Sequence, residues 1–177
     1  MPDPLCWIAS AQEAAPISVR TRGSATLPPA SPAHHLPVAP RMINELFEIC
    51  SQRNPKPAEQ RKQILMALKR GANIHATDKN GVTALHHAVR FRSPAAAKTL
   101  IECGANVNHA CRRNGSTPLH RAVTQTGAPG TTGRQAAAVE IVRLLLAAGA
   151  DPSTRNKAGK KPAEYVRDPK IKSVFEA

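Results

Sequence analysis

Histidine and cysteine are the side chains in this sequence best suited to chemistry, as metal ligands, proton carriers or nucleophiles. There are seven histidines and four cysteines in 177 residues. The cysteines (Cys6, Cys50, Cys103, Cys111) form no C-x-x-C pair, and no two histidines stand at the H-x₃-H spacing. His109 lies two positions from Cys111, which gives two ligands where a tetrahedral zinc site needs about four. Structural or solvent roles are therefore assigned to His34, His35, His75, His86, His87, His109 and His120, with no metal and no cofactor. A cysteine or serine nucleophile needs a base and an orienting group beside it. No such set accompanies Cys103, Cys111 or Ser116, so no catalytic residue is assigned and the chain is read as non-enzymatic. The glycine-rich run from Gly127 to Gly133 loosely matches a phosphate loop. Arg134 and Gln135 stand where that loop needs lysine and a hydroxyl residue, and a helical pattern precedes it instead of a strand. Nucleotide binding is set aside.

Charge is more informative than these groups. Lysine and arginine number 25 against 12 acidic residues, a net charge of +13. Within residues 1–40, Arg20 and Arg22 cancel Asp3 and Glu13, so the whole excess belongs to 41–177. Such a surface draws acidic partners by long-range attraction and says nothing about fold.

The elements that must carry these charges follow from an internal period. Gly71-Ala72-Asn73-Ile74 recurs 33 residues later as Gly104-Ala105-Asn106-Val107, and again as Gly149-Ala150-Asp151-Pro152. Between the copies lie Gly81-Val82-Thr83-Ala84-Leu85-His86-His87-Ala88 and Gly115-Ser116-Thr117-Pro118-Leu119-His120-Arg121-Ala122. Thr83 and Thr117 are placed to cap a first helix, and Pro118 suits its first turn. Leu85, Ala88 and Val89, then Leu119, Ala122 and Val123, fall at helical spacing toward a core. Leu100 and Ile101, then Ile141, Val142, Leu145 and Leu146, mark a second helix in each unit. Gly71, Gly104 and Gly149 follow where a left-handed residue ends a helix. With 41% apolar but only 3% aromatic residues, the core must be Leu, Ile, Val and Ala. That composition suits tightly stacked helices better than strands.

These residues resemble the ankyrin repeat, with its 33-residue period and T-P-L-H-x-A signature. The resemblance covers about 41–177. It implies an all-α solenoid of stacked helix pairs with projecting hairpins, about four repeats including caps. Residues 41–70 form the N-terminal cap, with Met42, Leu46 and Ile49 on one helix and Ile64, Leu65 and Leu68 on the next. Residues 159–177 form the C-terminal cap, in which Lys161 and Glu164 replace the threonine and histidine of the signature. His86 and His120, at signature positions, are expected to tie neighbouring loops by hydrogen bonds. Thr117 to Gly149 spans 32 positions where Thr83 to Gly104 spans 21. The 11 extra residues fall around 126–133, a loop by composition.

In this family the hairpin tips and first helices form the concave surface that contacts partners. The resemblance thus implies a non-catalytic protein-protein interaction module, cytoplasmic and monomeric, with an acidic protein partner. The contacts it points to are Lys79, Asn80, Arg90, Arg112, Arg113, Asn114, Arg121, Arg155 and Lys157. Nucleic-acid binding through the same basic face is the alternative, though no aromatic residue lies among those cations to stack on bases. No apolar run reaches the roughly 18 residues of a membrane helix. Leu5–Ala11 makes a poor signal-peptide core. The unpaired cysteines suit a reducing compartment. Residues 1–40 hold eight of the sixteen prolines and are expected to be disordered. They contain P-x-x-P spacings at Pro29–Pro32 and Pro37–Pro40. Translation from Met42 is a second way to begin the chain.

Overall fold

The computed structural model describes residues 40–53, 55–124 and 134–176. The expected disordered segment (apart from Pro40), its first P-x-x-P spacing and the insertion at 126–133 lie outside these residues. Among the described residues every element is helical: α1 (Pro40–Cys50), α2 (Pro57–Lys69), α3 (Ala84–Arg90), α4 (Pro94–Glu102), α5 (Pro118–Val123), α6 (Gln135–Ala147), a 3₁₀ turn (Pro162–Tyr165) and α7 (Pro169–Glu176). Consecutive elements form four helix pairs. The first members, α1, α3, α5 and the 3₁₀ turn, pack in one row, while α2, α4 and α6 pack in a second and α7 closes on α6.

The apolar stripes read from the sequence meet between these rows. Leu46, Ile64, Leu85, Leu100, Leu119, Ile141 and Leu145 are buried, and alanines (Ala67, Ala88, Ala96, Ala97, Ala122, Ala138) fill the gaps between them. Small residues let the helices approach closely, which is how a core nearly without aromatics reaches close packing. No single pair could bury its own face, so stacking supplies the core. One polar link crosses it. Gln60, fully buried, donates from Nε2 to the Ile49 carbonyl (2.9 Å) and accepts from the Ser93 hydroxyl, joining the N-terminal cap to the second repeat.

Helix ends follow the sequence signals. Gly71, Gly104 and Gly149 have φ of +94°, +88° and +83°. Their N–H groups bond Leu68, Ile101 and Leu146 carbonyls, closing α2, α4 and α6. Each chain then turns through a hairpin, as expected. Asp78 and Asn156 organise the first and third by accepting two backbone N–H groups on one side-chain oxygen. The middle hairpin is one residue longer, since Cys111 occupies the place of Asp78 but Gly115 follows four positions later instead of three.

Adjacent hairpin tips touch. Arg113 N–H donates to the Asn80 carbonyl (3.3 Å) and Lys157 N–H to the Asn114 carbonyl (3.0 Å). Gly81 is required there twice over. Its φ is +72°, and a Cβ would lie 2.6 Å from the Arg112 nitrogen. Gly104 shares the left-handed φ but has open space around it. Gly104→Ala should therefore cost about 1 kcal/mol, from backbone strain alone. Gly81→Ala should cost about 2 kcal/mol or more, because two backbones must also part. Urea midpoints of the two variants check the difference, and equal losses would mean that the hairpins do not pack.

Candidate interaction surface

Thr83 and Thr117 begin α3 and α5 in extended conformation, as helix caps do. Their hydroxyls, however, go mainly to the histidine three residues on. Thr83 Oγ1 lies 2.8 Å from His86 Nδ1, and Thr117 Oγ1 2.9 Å from His120 Nδ1. The hydroxyl bond to the helix backbone is long at α5 (3.5 Å), and the same capping box is present at α3. The imidazole does the rest of the capping: its Nδ1 accepts the threonine backbone N–H, at 3.3 and 3.2 Å. In the last pair Glu164 takes that role, accepting the Lys161 N–H at 2.8 Å.

The other ring nitrogen reaches into the next repeat. His86 Nε2 donates to the Ser116 carbonyl (3.1 Å) and His120 Nε2 to the Lys160 carbonyl (3.0 Å). A carbonyl only accepts, so Nε2 carries the hydrogen and Nδ1 is the acceptor. Each ring is buried, neutral and fully bonded, as the reading of loop-tying histidines expects. Ser116 and Lys160 are the last residues of their hairpins, and both carbonyls also accept a hairpin N–H. Each histidine therefore holds the base of the following hairpin. His109 adds a similar link, from Nε2 to the Gly81 carbonyl (3.1 Å).

The structure distributes the nine expected contact residues among different environments. Lys79, Arg90, Arg112 and Arg113 are exposed, and their side chains make no hydrogen bond or ion pair among the described residues. Lys157 is exposed, but its Nζ donates to the Arg112 carbonyl (2.6 Å) in the neighbouring hairpin. Arg155 donates to the Gly159 carbonyl (2.6 Å) and lies 3.9 Å from Glu164. Asn80 is half-buried. Asn114 Oδ1 accepts the Ser116 N–H (3.2 Å) and the Cys111 thiol (2.7 Å). Arg121 is half-buried, with its guanidinium 4.0 Å from Cys111 Sγ and its Nε buried without a partner.

Cys111 is a correction. A cysteine in a projecting hairpin is expected to be exposed, yet Cys111 is 1% exposed. Its position is the one Asp78 and Asn156 take in the other hairpins, where the side chain turns under the loop. Burial raises its thiol pKa, but hydrogen bonds with Asn114 and with Arg121 outweigh that and leave it lowered. Cys50, buried among apolar groups, is pushed up to about 12. Cys50 and Cys111 are free thiols. Among the described residues no group of three or more His, Cys, Asp and Glu is arranged to hold a metal, and no helix is long and apolar enough to cross a membrane.

Sequence reasoning gave His87 only a structural or solvent role and gave Arg92 none. His87, at the position Arg121 takes in the next repeat, packs on Phe47 (ring centroids 5.2 Å apart), bonds Ser51 and lies 3.9 Å from Asp78. Burial lowers its pKa and Asp78 opposes that. Arg92 adopts φ +53° and is 9% exposed. Its place between the end of one helical pattern and Ser93-Pro94 was the only sequence signal.

His86 gives the surface a pH dependence. Burial lowers its pKa to about 3, against a partial rise from the Ser116 bond. Below about pH 6.5 the unfolded chain takes up a proton that the folded chain refuses, so stability falls from pH 6.5 down to about 3. Between pH 7 and pH 5 the loss from His86 should be about 2 kcal/mol. Urea unfolding at the two pH values measures it, and His86→Gln should lose most of that slope.

The family model for ankyrin repeats matches residues 57–156 in three copies. Among curated proteins, the chain is 34% identical over 115 residues to BRCA1-associated RING domain protein 1 of Caenorhabditis elegans, covering 64% of this chain and 15% of that one. It is 31% identical over 144 residues to NF-kappa-B inhibitor delta of Homo sapiens, covering 77% and 43%. The solved ankyrin repeat domain of Bcl-3, described as a member of the IkappaB family, superposes with a TM-score of 0.56 at 31% identity, covering 68% of this chain and 48% of that one. The chain spans less than half the length of each of these relatives. Ankyrin repeats are generally protein-protein interaction modules. Threonine-capped helix pairs, left-handed glycines, histidine bridges between repeats and a matching family model over more than half its length together make this chain a member of the ankyrin-repeat family.

Proposed function

We propose that the chain is a non-catalytic binding module that docks an acidic segment of a protein partner on its hairpin edge and first helices. The observation carrying this reading is the set of exposed hairpin cations, Lys79, Arg112 and Arg113, with Arg90 at the far end of α3, that make no ion pair among the described residues. Hairpin tips held together by backbone bonds lose little entropy on binding, and an unpaired cationic edge speeds encounter with an acidic surface and selects against basic ones. In this reading Arg112 and Arg113 are the main charge contacts. Arg155 and Lys157 contribute their remaining charge while holding backbone carbonyls. Asn80, Asn114 and Arg121 shape the hairpins and the floor behind them. The module acts as a monomer in a reducing compartment such as the cytoplasm, which suits the thiols of Cys50 and Cys111.

Nucleic-acid binding is the alternative that the charge excess favours. Against it stands the state of Tyr165, the aromatic residue beside the last hairpin. It is half-buried, held by Asn156 at its hydroxyl (2.9 Å) and covered by Lys160 Nζ at 5.8 Å from the ring centre. A ring so placed offers no face for base stacking.

Affinity capture from lysate tests the reading, with and without nuclease, using wild type and Arg112→Glu/Arg113→Glu. A protein retained after nuclease and lost on charge reversal is the expected result, with at least a tenfold weakening, roughly what loss of a few exposed charge contacts gives. Capture of nucleic acid alone, abolished by nuclease, would replace this reading with its alternative.

A further inference from the structure

At the end of the stack away from the hairpins, where each first helix turns into its second, a groove of about 570 Å³ opens between the starts of α2, α4 and α6. Its charged lining is Arg92, Lys98, Arg134 and Glu140, and Pro55, Pro57, Pro94 and Ala95 form apolar walls. Three cations against one carboxylate leave the groove with two net positive charges. Helices of 13, 9 and 13 residues begin at its rim, adding the positive ends of their dipoles.

Arg92 is the residue that makes this groove unusual. It is the one non-glycine with positive φ among the described residues (+53°), and it sits where α3 ends. There its N–H bonds the Val89 carbonyl (3.1 Å) and the Ser93 N–H bonds the Ala88 carbonyl (3.0 Å). That left-handed position is one glycine fills without strain. The arginine nevertheless occupies it and is nine-tenths buried. Its guanidinium donates to the Thr124 carbonyl (3.0 Å), a neutral partner, and pairs with no carboxylate among the described residues. Asp168 acts on it only at longer range, and burial disfavours its charged form. A buried guanidinium stays ionised and is costly without an opposing charge. Backbone strain and an unneutralised buried cation at one residue are both offset if an anion binds in the groove.

We propose that this groove is a binding site for a phosphate monoester, its dianion seated on Arg92, Lys98 and the Ala95 N–H at the start of α4, where Ser93 Oγ already accepts the Ala96 N–H. Two net positive charges match a dianion better than a single carboxylate. The volume exceeds what bare phosphate fills, and the proline and alanine walls lie where the organic part would rest. The site is at the opposite end of the helices from the hairpins and does not depend on the function proposed for them.

The test is an NMR titration of the full chain with O-phosphoserine, inorganic phosphate and chloride at constant ionic strength. Saturable shifts of the Ala95 and Ala96 amides are expected with both phosphates, tighter with phosphoserine, and absent with chloride. Arg92→Gly should keep the fold, since glycine suits the backbone, and bind about tenfold or more weakly, the usual effect of losing a charged hydrogen bond. Lys98→Gln, at an exposed position, should also weaken binding, and Glu140→Gln should tighten it. Arg112→Glu/Arg113→Glu should bind phosphoserine like wild type. Shifts that chloride reproduces, equal affinity for both phosphates, or undiminished binding by Arg92→Gly and Lys98→Gln would each overturn the assignment.

Discussion

A neutral imidazole buried between repeats is the interaction on which the rest of this structure depends. His86 and His120 each satisfy three polar groups at once: a backbone N–H and a hydroxyl at the start of their own helix, and a carbonyl in the next repeat. Buried polar groups without partners are expensive, so these bonds fix the distance and register between neighbouring repeats. They act at the base of the following hairpin, through Ser116 and Lys160. The packing of leucines and alanines supplies most of the favourable free energy, but it is tolerant of small slips. The histidines are not, because their donors and acceptors have one arrangement.

Hairpin geometry follows from that register. Once the bases are held, the tips lie close enough for Asn80 to bond Arg113 and Asn114 to bond Lys157, and only glycine fits at positions 81 and 115. The tips are then a continuous edge, with backbone groups satisfied internally and Lys79, Arg112 and Arg113 exposed along it. The proposed docking function uses this property: a charged edge whose order is set before any partner arrives. In the last described pair the signature histidine is replaced by Glu164, which caps its own helix.

Most of the fold was legible because a repeat writes its period into the sequence. Gly71, Gly104 and Gly149 marked the second-helix ends, and Leu85, Leu119 and their neighbours marked the inner faces. What was not legible depended on three-dimensional offsets smaller than a repeat. Cys111 reads as a loop residue, and only its alignment with Asp78, 33 positions earlier, shows that it turns inward. The lengths of Lys157 and Arg155 allow many conformations, so nothing in the sequence tells that they fold back onto carbonyls. Arg92 was silent because a left-handed arginine looks like any other surface cation until the backbone is known.

The central claim is that partners meet the hairpin edge of a stack whose order is fixed in advance. Hydrogen exchange of the full chain, free and bound to the protein it retains from lysate, tests this most directly. The account predicts slow exchange at the Ser116 and Cys111 amides already in the free chain, and added protection on binding confined to hairpin residues 78–82, 111–116 and 156–160 and to the first helices α3 and α5. Added protection along α2, α4 and α6 with unchanged hairpins, or hairpins that exchange freely until the partner binds, would contradict it.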